Sequence, residues 1–310
     1  MIKVFINGSA GTTGLRLKQR LSERGDIQLL EISDALRKNP AAVKEKMAQA
    51  DFTFLCLPDD AAREAAELAA DLQTRIIDTS TAHRCDSAWV YGFPELSPEH
   101  RQSIQNARLV ASPGCHASGF ISLIYPLIAA GALGKDALLS CTSLTGFSGG
   151  GKKMIAEYQD AARSGELEST KEYAMAQAHK HLPEMLSQCK LEAPPVFMPI
   201  VGDFYSGMLV SVPLHSKQLN GKHTPEEIRG LYKKHYAGSR LIKVSDEAAS
   251  ALYTNSLSGS DGMEIFVSGN DERILLSSRF DNLGKGASGA AIQCFNIMCG
   301  MPEDSGLTVI

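Results

Sequence analysis

The chain has 310 residues, 44% apolar and 21% charged, with a formal net charge of −4. That length suffices for two domains with a sizeable core, and the composition is that of an ordinary globular protein. Mixed, slightly acidic charge argues against a nucleic-acid partner or an anionic membrane surface, and no apolar run is long enough to span a bilayer. Seven cysteines, with no C-x-x-C pair, read as reduced thiols and therefore as a cytoplasmic protein. The first six residues read as a strand rather than a signal peptide.

Residues 3–6 form a buried strand, and residues 15–21 carry apolar side chains at helical spacing. Between them lies a G-x-x-G-x-x-G loop containing Gly8, Ser9, Gly11, Thr12, Thr13 and Gly14. Glycines let the backbone approach a pyrophosphate, and a helix N-terminus supplies N–H donors, so these six residues are the candidate cofactor-binding loop. A second strand over 27–32 ends near Glu31, Ser33 and Asp34. An acidic residue there favours NAD through the ribose hydroxyls, whereas the following Arg37 and Lys38 suit the 2′-phosphate of NADP, and sequence alone leaves both open. Strands over 52–57 and 75–78 flank an alanine-rich helix over 61–72. This alternation predicts an α/β fold of the Rossmann type, a doubly wound parallel sheet. The fourth strand runs into a loop carrying Arg84, placed to meet an anion at the carboxyl edge of the sheet.

Residues 109–111 lead into Ser112-Pro113-Gly114-Cys115, and an apolar segment from 117 to 130 leads out. The pattern reads as strand, tight turn and helix, with Cys115 at the first helical turn. Free N–H groups and the helix dipole there lower a thiol's pKa and make it nucleophilic, although a cysteine alone is more often an inert buried side chain. Beyond Gly134 the pattern changes. Residues 137–146, 196–200, 208–214, 241–244, 263–268 and 273–280 read as strands of a mostly antiparallel sheet in a second, α+β domain. Residues 147–153 read as a flexible basic loop bearing Lys152 and Lys153. In the segment 178–185, Pro183 suits the first turn of a helix, which places His179 and His181 in extended chain on one side. The pair lacks a third ligand at a telling spacing, so no metal is expected. The small-residue tail from Asp281 precedes an apolar helix expected to pack on the first domain. The domains are therefore 1–115 with about 284–310, and about 116–283.

The glycine loop, the Ser-Pro-Gly-Cys turn, His179-Lys180-His181-Leu182-Pro183-Glu184 and Asp281-Asn282-Leu283-Gly284-Lys285-Gly286-Ala287 resemble N-acetyl-γ-glutamyl-phosphate reductases. The resemblance is to the shorter of that family's two forms, within the aspartate-semialdehyde dehydrogenase-like superfamily. It implies NADPH-dependent reduction of N-acetyl-γ-glutamyl phosphate to N-acetylglutamate 5-semialdehyde and phosphate through a cysteine thioester, in arginine biosynthesis. It further implies Cys115 as nucleophile and His181 as acid/base, oriented by His179 or Glu184. Arg84 would then hold the phosphate, Ser112 and Lys152 (or Lys153) the substrate, and Asn282 the nicotinamide carboxamide. The family commonly forms homodimers or homotetramers. Rival acyl groups are aspartyl and aminoadipyl, and a non-catalytic NADP(H) sensor is the rival of another class. A sensor has no need of a nucleophile, a histidine pair and a phosphate-binding arginine together.

Overall fold

The computed structural model describes residues 1–309. The chain divides into two compact units, residues 1–113 with 287–307, and residues 114–286 with the last residues from Thr308. In the first unit the order is β1 (Ile2–Asn7), α1 (Thr12–Ser22), β2 (Ile27–Leu30), α2 (Pro40–Gln49), β3 (Phe52–Leu55), α3 (Asp59–Leu68), β4 (Arg75–Asp78), β5 (Val90–Tyr91), α4 (Pro98–Asn106) and β6 (Leu109–Ala111). The sheet order is β2-β1-β3-β4-β6-β5, with every pairing parallel. Helices on both faces explain why Phe52–Leu55 is buried at every position instead of alternating. Strand order reverses between β1 and β3, which opens a ligand crevice at their carboxyl ends. The glycine loop leaves β1 at that point.

The second unit starts with α5 (Cys115–Ala129) and continues through β7 (Ser140–Gly146), α6 (Gly151–Gln159), β8 (Lys171–Glu172), α7 (Leu182–Cys189), β9 (Val196–Gly202), β10 (Met208–His215), α8 (Pro225–His235), β11 (Ile242–Val244), β12 (Met263–Gly269) and β13 (Arg273–Phe280). Its sheet order is β11-β12-β13-β10-β7-β9-β8, with four pairings antiparallel and two parallel. Along β10 the residues Met208, Val210, Val212 and Leu214 point inward in alternation. Helix α5 lies on this face and is buried without break from His116 to Ile124. Its Pro126 cannot donate to the Ser122 carbonyl one turn back. Tyr236 Oη donates to that carbonyl at 2.7 Å instead, and Tyr232 Oη donates to the neighbouring Leu123 carbonyl. Two tyrosines of the α8 segment thus mend the break in the helix that starts at Cys115.

Residues 147–153, expected as a flexible basic loop, are ordered. A 3-10 turn, Phe147–Gly150, runs into α6, and Lys152 and Lys153 stand exposed on its first turn. The glycines make the corner, with Gly151 at φ +72°. The good helix formers after Gly151 then close an apolar face, and Phe147 stacks on Tyr158 at 4.8 Å between ring centroids. The last helix, α9 (Gly289–Met298), belongs to the first unit. Its Phe295 meets Phe52 edge-on at 5.0 Å within the core of that unit.

Candidate active site

In the first unit, Gly8 holds φ +92°, and a Cβ on it would lie 2.3 Å from the Cys56 carbonyl oxygen. A Cβ on Gly14 would lie 2.4 Å from the Gly8 carbonyl oxygen. No larger residue fits either place. The loop is therefore a backbone cradle, with Gly11 capping α1 and Thr12 and Thr13 as its first two residues. Their N–H groups have no partner within the helix, which is the donor set a pyrophosphate needs. Beside it, Ser9, Lys18, Leu29, Glu31 and Asp34 wall a cavity of about 220 Å³. The cradle and the cavity together fit a dinucleotide.

Arg84 is 7% exposed and its guanidinium is aimed by backbone. Nε donates to the Ser112 carbonyl at 2.9 Å and an Nη donates to the Thr79 carbonyl at 3.0 Å. The loop is locked by Asp78, whose buried carboxylate accepts from Ser80 N, Ser80 Oγ and His83 Nδ1 at 2.7–2.9 Å. The His83 ring stacks on Trp89 at 4.1 Å. Ser112 itself is buried.

In the second unit, Cys115 opens α5 as the sequence pattern implies, half-buried, with Gly114 as N-cap. Glu184 on α7 accepts from the Gly114 N–H at 2.9 Å, which ties α7 to the turn ahead of Cys115. Gly286 packs so closely that an added Cβ would lie 2.9 Å from Cys115 Cβ. Cys115 Sγ and ring nitrogens of His116 and His181 all lie within 4.8 Å of one another.

The histidine pair is not extended chain. His181 has φ −89° and ψ −10°, and the Leu182 N–H donates to the His179 carbonyl across a turn. The reason is local: His179 Nδ1 accepts from the His181 N–H at 3.1 Å, a side-chain bond that favours the turn over the strand. The rings still meet, edge to face at 4.7 Å. Gln177 fastens this loop to β9 through two bonds of 2.8 Å to Phe197 N and O.

Sequence reasoning missed His116, Ser143 and Tyr173. His116 shares a 2.7 Å bond with Ser143 Oγ through Nδ1 and a 2.9 Å bond with Tyr173 Oη through Nε2. Burial, helped by nearby Lys180 and His179, takes His116 down to about 3, and burial with Lys180 takes His179 down to about 4. Both rings are neutral at physiological pH. The one signal for His116 was its place directly after Cys115; nothing local marks Ser143 or Tyr173. Cys115, His116 and His181 are donors of a type that zinc accepts. His116 is already engaged through both ring nitrogens, by Ser143 and Tyr173.

Cys189 is buried at the end of α7, while its neighbours Ser187 and Lys190 are exposed. Burial raises its thiol, as it does Cys141, and pushes Cys56 and Cys299 up to about 12, while Cys85 is exposed. Asn282, expected at a nicotinamide carboxamide, is held in place at both ends of its side-chain amide. Its Oδ1 accepts from the Gly207 N–H at 2.9 Å and its Nδ2 donates to Ser148 Oγ at 3.0 Å.

The sequence model of the semialdehyde dehydrogenase dimerisation domain matches residues 115–282, and that of the semialdehyde dehydrogenase NAD-binding domain matches residues 33–104. A protein of Nostoc sp. named N-acetyl-gamma-glutamyl-phosphate reductase 2 is 41% identical, over 98% of this chain and 99% of its own. A Brucella ovis N-acetyl-gamma-glutamyl-phosphate reductase is 42% identical, over 96% and 99%. Among solved structures, aspartate semialdehyde dehydrogenase II of Vibrio cholerae superposes with a TM-score of 0.73 at 15% identity, over 97% of this chain and 98% of its own. The Candida albicans aspartate semialdehyde dehydrogenase with NADP superposes with a TM-score of 0.69 at 15% identity, over 96% and 98%. At that identity the likeness is one of fold.

Proposed function

The chain belongs to the N-acetyl-γ-glutamyl-phosphate reductase family, and on that premise we propose how its residues reduce N-acetyl-γ-glutamyl phosphate to N-acetylglutamate 5-semialdehyde and phosphate. The observation that carries the reading is the convergence of Cys115, His116 and His181 at the start of α5. The Cys115 thiolate attacks the acyl carbon and the carbon–oxygen bond to phosphate breaks, leaving a thioester on Sγ. Gly8, Ser9, Gly11, Thr12, Thr13 and Gly14 would hold a nicotinamide coenzyme, whose chemistry there would be hydride supply to bring the acyl carbon to the aldehyde level. His181 protonates the oxyanion and takes the proton back as the C–S bond breaks, releasing the aldehyde and restoring the thiolate. His179 holds the His181 backbone, and Glu184 holds the turn before Cys115. Neutral His116, fixed between Ser143 and Tyr173, forms the floor on which the loop bearing both catalytic histidines rests.

Arg84 takes the phosphate, since its buried guanidinium is fixed by two backbone carbonyls at the carboxyl edge of the parallel sheet and carries the positive charge a phosphate needs. Ser112 lies beside it in the binding of substrate, and Lys152 meets the substrate carboxylate. Asn282, braced by Gly207 and Ser148, sits by the nicotinamide carboxamide. The coenzyme is NADP(H), the partner is a second copy of the chain in a dimer or tetramer, and the setting is the cytoplasm. Seven free thiols agree with a reducing compartment, and among the described residues no helix is long and apolar enough to cross a membrane. The deciding experiment is spectrophotometric: NADP+ reduction with N-acetylglutamate semialdehyde and phosphate or arsenate. Reduction that depends on both substrates supports the reading, and turnover only with aspartate semialdehyde overturns it.

A further inference from the structure

The cation that walls the cavity at the carboxyl end of β2 is on α1, not on the segment after β2. Lys18 Nζ lies 2.7 Å from Glu31 Oε1, directly beyond the last residue of the strand. Arg37 turns instead toward Asp34 at 3.7 Å, and neither Arg37 nor Lys38 is among the described residues lining the cavity. A carboxylate at the end of the second strand ordinarily binds the ribose hydroxyls of NAD and repels a 2′-phosphate. Here its charge is compensated from the side facing the helix, and the Lys18 ammonium holds the carboxylate below its usual range.

We propose that Lys18, held in place by Glu31, reads the 2′-position of the coenzyme, its ammonium passing from the Glu31 carboxylate to the 2′-phosphate of NADP(H). The inference rests on the NADP(H) reading above and names the residue responsible for it. Both partners are substantially exposed, 47% and 71%, and an ion pair so solvated contributes little stability, so the exchange costs little. A phosphate near −2 is a stronger partner for an ammonium than a carboxylate at −1, and the charge-assisted bond forms only with the phosphorylated coenzyme. Without the phosphate, Glu31 keeps Lys18 and is less available to the ribose diol, which weakens NAD(H).

The test is equilibrium titration of NADPH and NADH, followed by coenzyme fluorescence, into wild type, Lys18→Gln and Glu31→Gln at low and moderate salt. Adenosine 2′,5′-bisphosphate serves as a competitor that carries no nicotinamide. Lys18→Gln should weaken NADPH and the bisphosphate by about tenfold or more, leave NADH unweakened or bound more tightly, and remove much of the salt dependence of NADPH binding. Glu31→Gln should tighten NADPH. Equal losses for both coenzymes in Lys18→Gln, or none, would overturn the assignment while the wild-type preference for NADPH still stood. A wild type that binds NADH more tightly than NADPH would overturn the NADP(H) reading itself and this assignment with it.

Discussion

The glycine loop of the first unit and the Cys115 cluster of the second solve the problem of placing reactive groups by opposite means. The loop works with backbone: residues 8–14 are contiguous, and what matters in Gly8 and Gly14 is the atom each lacks. The cluster works with side chains from separated segments, with Cys115 and His116 on α5, Ser143 on β7, Tyr173 just past β8, and His179 and His181 ahead of α7. A backbone cradle presents donors that no side-chain substitution short of proline can remove. A side-chain cluster can be changed one group at a time, which makes the second site the better place to separate chemistry from binding.

The largest break in that comparison is Cys115→Ser. A serine hydroxyl is scarcely ionised near neutral pH, so turnover should fall roughly 10⁴-fold or more while coenzyme titrations remain as in wild type. Full activity would end the thioester mechanism. Iodoacetamide at pH 7 should label Cys115 ahead of Cys56 and Cys299, whose thiols burial has pushed up to about 12. Next comes His181→Asn, expected to lower kcat by about 10²–10⁴-fold and to remove one limb of the pH–rate profile. His179→Asn should cost less, because its side chain holds the His181 backbone rather than a proton in flight. Reversed ranking of the two mutants would exchange their roles.

Two glycines sharpen the contrast directly. Gly8→Ala puts a methyl group against the Cys56 carbonyl at φ +92° and should weaken coenzyme binding by roughly tenfold or more, with the alkylation rate of Cys115 unchanged. Gly286→Ala puts a methyl group against Cys115 and should do the reverse, slowing alkylation and kcat by about tenfold with coenzyme affinity kept. If either mutant damages both readouts equally, the two sites are not separable in the way drawn here.

This difference also explains what could be read without a structure. Contiguous devices were legible: the glycine loop, the turn into Cys115 and the parallel sheet all follow from local pattern. Position in the chain pointed to Arg84, but not to the Asp78–His83–Trp89 set that holds its loop. Groups defined by distant partners were hidden. Tyr173 looks like an ordinary loop residue until β7 and α5 bring His116 beneath it, and Lys18 looks like an exposed helix lysine until β2 delivers Glu31. Residues 147–153 misled because three glycines suggest looseness, whereas Phe147 on Tyr158 supplies the packing that fixes them.

The smallest expected effect concerns stability rather than rate, and it tests whether His116 is the neutral floor of the cluster. An exposed histidine titrates near 6.5, while burial takes folded His116 down to about 3. Between those values the unfolded chain binds a proton that the folded chain refuses, so stability rises with pH through this window. The contribution is fully present above about pH 6.5 and drains away as pH falls toward 3, at up to about 1.4 kcal/mol per pH unit. His179, taken down to about 4, acts in the same direction. His116→Gln keeps an amide donor and acceptor for Ser143 and Tyr173 but has nothing to titrate. Urea midpoints at pH 7.5 and pH 5 should therefore converge in the mutant relative to wild type. A pH dependence identical in the two proteins would mean that the His116 ring takes up its proton in the fold as readily as in the unfolded chain. It would then be protonated below about pH 6.5 instead of staying the neutral support assigned to it.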